Sequence, residues 1–242
     1  MPEPIQAGLW GLLAASSLVA GAFVGVRLPV TRRVVALIMG FGAGALISAL
    51  AFDLTAESFA RGGTFATALG LAGGAITYVI GDVLLERRAR RRASGGPKPR
   101  TSGPAILLGT LLDGLPESIV LGATLLGGTG VSVSLMAAIS LSNLPEGVSG
   151  ARDLSDEGHR PRFAIGVWVI VALASGLAAG IGNALLAGMS PGLVGGVQAY
   201  AGGAILAMLA TTMMPEAFDN GGDAVGLATV FGFAVAFLLA RA

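Results

Sequence analysis

Eight apolar tracts divide the chain, each long enough to cross about 30 Å of hydrocarbon at about 1.5 Å of rise per residue. They run over 5–28, 34–57, 64–85, 104–127, 131–151, 163–187, 193–217 and 223–240, separated by turn-rich breaks such as ARGGT at 60–64 and DNGGD at 219–223. Backbone buried in lipid must satisfy its hydrogen bonds within its own segment, so tracts of this length are helices. An all-α integral membrane protein follows. With 54% of residues hydrophobic and 12% charged, the 242-residue chain has too little polar surface for a water-soluble fold. MPEPIQ at the start lacks the basic segment of a cleaved signal, and the first tract is too long for one.

Arginine and lysine set the orientation. With the N-terminus outside, thirteen of the fifteen basic residues fall in inner loops, around 27–33, 87–100 and 152–162, and only Arg61 and Arg241 lie outside. An odd number of spans would scramble that partition, so both termini are expected outside. The run RRARRRASGGPKPR at 87–100 reads as part of a cytoplasmic linker over 86–103 and not as a nucleic-acid arm, since a net charge of +1 leaves no basic face. Without cysteine there is no disulfide or thiolate chemistry, and any metal must be held by oxygen, nitrogen or methionine sulfur.

Internal repeats refine this picture. FGAGALISALAFDLTAESFARGG at 41–63 overlays YAGGAILAMLATTMMPEAFDNGG at 200–222 at a constant offset of 159, matching Glu57 with Glu216 and Gly62–Gly63 with Gly221–Gly222. Between LLDGLPES at 111–118 and LSNLPEGV at 141–148 an offset of 29 puts Asp113 on Ser142 and Leu115, Pro116 and Glu117 on Leu144, Pro145 and Glu146. Paired helices would run in opposite directions. The expected fold is therefore a 3+2+3 inverted repeat: helices 1–3 over 5–85, the linker 86–103, central helices over 104–151, a cytoplasmic loop over 152–162 and helices 6–8 over 163–240. Inverted repeats with broken helices belong to secondary transporters, which bind cargo near the midplane.

The central repeat carries the chemistry. A proline inside a helix removes one backbone bond and displaces the carbonyl four residues earlier, so Pro116 and Pro145 loosen the carbonyls of Leu112 and Leu141. Asp113 and Glu117 share a helical face at i, i+4, as do Ser142 and Glu146, with Asn143 three residues before Glu146. Asp113 and Glu117 lie about 14 and 20 Å from Pro104, and Asn143 and Glu146 about 18 and 22 Å from Val131, so both sets reach the midplane. Charged groups at that depth line substrate or ion paths. Three carboxylates, an amide and a hydroxyl make a hard, oxygen-rich set suited to a divalent cation.

LLDGLPESIVLGA at 111–123, ISLSNLPEGVSGA at 139–151 and TTMMPEAFDNGG at 211–222 resemble the fourth-, fifth- and seventh-helix signatures of the ZIP metal transporters, bacterial branch, over essentially the whole chain. The resemblance implies uptake of a divalent transition metal, most often zinc, into the cytoplasm across a bacterial inner membrane, with no prosthetic group and with homodimers. It also implies a site between the fourth and fifth helices, falling on Asp113, Glu117, Ser142, Asn143 and Glu146. Aspartate replaces the family's fourth-helix histidine at 113, Gly114 replaces an asparagine, and the sixth tract lacks the bridging carboxylate of several relatives. One metal is expected, not two.

Beyond the centre, Asp53 with Glu57 and Glu216 with Asp219 stand at opposite ends of the bundle, as acidic mouths of the pathway or as partners of helix ends. Met213 and Met214 offer sulfur ligands or packing, and His159 is expected to be a solvated loop residue. Two other functions compete: a proton- or sodium-coupled carrier of a small organic solute, and an intramembrane aspartyl protease. The protease would need two aspartates at one depth, which Asp53, Asp82 and Asp113 do not supply.

Overall fold

The computed structural model describes residues 1–92, 103–128 and 130–241, and among them there is helix almost throughout and no strand. The helices are α1 (Glu3–Arg27), α2 (Arg32–Ala49), α3 (Thr55–Arg92), α4 (Gly103–Thr124), α5 (Val133–Asp156), α6 (Pro161–Leu186), α7 (Pro191–Met208), α8 (Met214–Gly221) and α9 (Ala224–Leu239). Two π turns, Leu50–Leu54 and Leu209–Met213, join α2 to α3 and α7 to α8. Proline opens α1, α6 and α7, where its missing N–H costs no helical bond. Thr31 and Ser132 cap α2 and α5, accepting from the amides of Val34 at 3.4 Å and Leu135 at 3.2 Å. Helix α3 continues through Arg92, past the expected end of the third tract, and residues 93–102 of the basic linker lie outside the described residues.

Among the described residues, four helical stretches are long and apolar enough to cross a membrane: Glu3–Arg27, Arg32–Arg87, Pro161–Leu186 and Pro191–Gly221, with Ala224–Leu239 a shorter apolar helix. The second is 56 residues long because helix resumes at once after Gly63, where a φ of 70° breaks its course. Their outward faces are apolar, with Phe65, Leu69 and Ile76 exposed on α3 and Leu173, Leu177 and Ile181 on α6. A belt of that kind suits a hydrocarbon surrounding.

The offset of 159 is visible in the backbone. The π turn Leu50–Leu54 falls on Leu209–Met213, and Gly63 falls on Gly222, also in the left-handed region at φ 64°. Contacts between glycines and neighbouring helices give the directions. Gly195 of α7 lies against Ser58 and Gly62, and Gly202 against Leu54 and Leu50, so α2 and its extension run antiparallel to α7. Gly70 lies against Gly196 and Ala199, and Gly203 against Leu71, so beyond Gly63 the chain has reversed and runs parallel to α7. The two copies are therefore inverted. Helix α3 packs chiefly on α7, as α2 does on α9, while α1 packs on α5 and α6, and α4 on α6.

Close approach at equivalent positions holds the halves together. A side chain at Gly44 would run into the Thr229 carbonyl, and one at Gly203, its counterpart in the repeat, into the Leu71 carbonyl. We expect Gly44→Val and Gly203→Val each to lower stability by about 1–3 kcal/mol or more through overpacking. Gly226→Ala, which meets open space, should stay within about 0.5 kcal/mol of the parent. Thermal unfolding in detergent checks both.

Candidate functional cavity lined by two proline-bearing helices

Helices α4 and α5 each turn an i, i+4 pair of polar residues toward the same space. Asp113 and Glu117 of α4 and Ser142 and Glu146 of α5 line one cavity of about 320 Å³, closed on its other sides by Met39, Trp168, Met208, Thr212, Met213 and Glu216. Glu117 and Ser142 are buried, each 3% exposed. Among the described residues, no three histidine, aspartate or glutamate side chains come together closely enough to hold a metal ion. The carboxylates stand around the cavity rather than at one point.

Asp113 has a partner that sequence reasoning missed. The buried Tyr78 of α3 donates its hydroxyl to Asp113 Oδ1 at 2.7 Å and lies 3.3 Å from Thr212 Oγ1, inside the second π turn. The phenol thus ties α4 to the α7 side of the cavity. One signal was present, since Tyr78 is one of only two tyrosines and sits in the middle of an apolar tract. Ser142 donates to the Ile139 carbonyl at 2.9 Å, leaving its hydroxyl lone pairs toward the cavity. Asn143 is buried beside it but is not part of the lining. Pro145 is buried within α5, while Pro116 lines a separate, largely apolar cavity of about 310 Å³ behind Tyr78.

The two ends of the bundle differ. At the end holding Arg32 and Arg152, a second cavity of about 370 Å³ shares Met39, Ser149, Asp153 and Glu216 with the first, so the acidic chamber continues outward as a vestibule. Glu216 Oε1 accepts from Ser149 at 3.1 Å, while Asp219 is exposed and lines neither cavity. At the opposite end Asp53 accepts from Ser132 at 3.2 Å and from Ser134, fastening the first π turn to the start of α5. Glu57 is occupied by Arg61 at 2.5 Å and by Gln198 at 3.3 Å.

The repeat explains this asymmetry. In the inverted copy Glu57 becomes Glu216, Arg61 becomes Asn220, and Gln198 takes the place of Met39. Asn220 donates to the backbone carbonyl of Glu216 at 2.9 Å, and a thioether offers no N–H. The carboxylate that is neutralised at one end is left facing the cavity at the other. His159 lies in the loop beyond α5, 3.9 Å from Glu157 and stacked on Phe163.

Neither a family model nor a curated protein matches the chain. Fold and site together define a helical bundle, with helices fit to cross a membrane, around an acidic and thioether-lined chamber that opens toward one end.

Because the chain has no cysteine, single replacements report access directly. A water-soluble maleimide should label Ser149→Cys, in the vestibule, several-fold faster than Ser134→Cys beside Asp53; equal rates would contradict the closed end. Tyr78→Phe should cost about 1–3 kcal/mol in thermal unfolding, the scale of a buried hydrogen bond to a charged group.

Proposed function

We propose that this protein carries divalent transition-metal cations, zinc foremost, across a bacterial inner membrane into the cytoplasm. One observation carries the reading: a duplicated pair of helices, each with a proline in its interior, turns Asp113, Glu117 and Glu146 toward a single chamber continuous with an acid-bearing vestibule. Carboxylates inside an apolar bundle are costly to keep charged, and a passing cation relieves that cost.

In this reading the chain spans the membrane eight times in a 3+2+3 inverted repeat, with both termini outside. The antiparallel copies around the two π turns and the reciprocal pairing of α2 with α9 and α3 with α7 support the arrangement. The partition of basic residues puts the end with Arg32 and Arg152 in the cytoplasm. The chamber then faces the release side, and Asp53 with Ser132 and Ser134 shuts the outer side. Asp113, Glu117 and Glu146 supply anionic oxygen, Ser142 a neutral oxygen, and Glu216 a further carboxylate toward the exit. Tyr78 holds Asp113 in place. Asn143 takes no part in this ligand set. Gathering the separated carboxylates onto one ion requires α4 and α5 to move toward each other, as expected when such a carrier passes through its occluded state.

A second reading has its own support. At about 320 Å³, with Trp168 and three methionines in its walls, the chamber has room for more than an ion. That favours the coupled carrier of a small organic solute.

Uptake of zinc, manganese, ferrous iron, cadmium and cobalt into proteoliposomes separates the two. Wild-type protein should give saturable uptake that Glu146→Gln abolishes, with the order of metals identifying the cargo. If no metal enters, or if Glu146→Gln matches wild type, metal transport is excluded and the organic-solute reading stands.

A further inference from the structure

Resting on the transport reading, we infer that Met208 and Met213 are cargo ligands that bias the chamber toward soft divalent cations such as cadmium over hard ones such as manganese. Their placement is the reason. In a regular α-helix, residues five apart point about 140° away from each other, and two such methionines would not face one chamber. Here the π turn Leu209–Met213 intervenes, closed by the Met214 amide on the Leu209 carbonyl. A π turn widens the helix to i→i+5 pairing and brings positions five apart over one another. Met208 and Met213 consequently line the same chamber as Asp113, Glu117 and Glu146.

The neighbouring thioether is used differently. Met214, adjacent in sequence, lies outside that lining and receives the Thr229 hydroxyl at 4.0 Å. The repeat points the same way, because Met208 and Met213 fall on Ala49 and Leu54 in the other copy, around a π turn of the same length. At these two positions sulfur is therefore present only in the copy whose π turn lines the chamber. Met39 adds a third thioether where chamber and vestibule meet.

Thioether sulfur binds soft cations and contributes little to hard ones, which take oxygen. A mixed wall of carboxylate and thioether thus admits any divalent cation by charge and ranks them by softness. Leucine is close to methionine in volume and lacks the sulfur, so it removes the ligand while keeping the packing.

The test compares Cd²⁺ and Mn²⁺ uptake into proteoliposomes for wild type, Glu146→Gln, Met208→Leu, Met213→Leu and the double methionine variant. The double variant should raise the half-saturating Cd²⁺ concentration by about tenfold, the scale on which even outer partners of a bound metal register. Mn²⁺ uptake should hold, which also certifies that the variant is folded. If the double variant loses both ions, the single variants are read by the same ratio. Loss of uptake in Glu146→Gln with an unchanged Cd²⁺ to Mn²⁺ preference in the methionine variants overturns the selectivity alone. Wild-type vesicles that admit neither ion, or Glu146→Gln vesicles that match wild type, overturn the transport reading and the selectivity with it.

Discussion

Gathering negative charge inside an apolar bundle is the constraint on which the rest of this structure depends. Asp113, Glu117 and Glu146 face one another across a chamber whose outer surroundings are Leu, Ile, Val and Phe. Unpaired, they would repel and would each carry a desolvation cost of several kcal/mol. The fold limits that cost by keeping the chamber open to a vestibule, by giving Asp113 the Tyr78 hydroxyl, and by keeping the carboxylates from converging on one point. Glycine contacts between helices serve the same end. Close backbone approach, as at Gly44 and Gly203, keeps the bundle tight around a hollow that would otherwise favour collapse.

Symmetry supplies two ends, and a few substitutions decide which is open. Glu57 and Glu216 are the same residue in the two copies, yet one is held by Arg61 and Gln198 and the other borders the chamber. Asp53 and Thr212 likewise correspond, inside matching π turns. Asp53 reaches across to the start of α5, whereas Thr212 turns to Tyr78. For Glu57 and Glu216 the difference lies in the N–H donors within reach, Arg61 and Gln198 at one end against Asn220 and Met39 at the matching positions of the other.

Much of this was legible in the sequence, because the physics behind it is repetitive. Apolar tract length, the offset of 159 and the two LPE segments foretold helices, inverted copies and a shared acidic centre, and Asp113, Glu117, Ser142 and Glu146 do line one chamber. Partners that meet only through the fold were out of reach. Tyr78 and Asp113 are 35 residues apart, and Asp53 and Ser134 are 81 apart, so neither pairing leaves a local pattern. The π turns were hidden for another reason. One extra residue in a helical turn does not alter an apolar composition, yet it changes which side chains share a face, and so it brings Met213 into line with Met208.

Those π turns also carry a record of descent. Each amounts to a single residue inserted into a helix, and both copies hold it at the same register, Leu50–Leu54 and Leu209–Met213. One duplicated segment carrying the irregularity accounts for both turns more simply than two separate insertions. The widened turn is what the halves share, and Asp53 against Thr212, at the same place within it, is where they part.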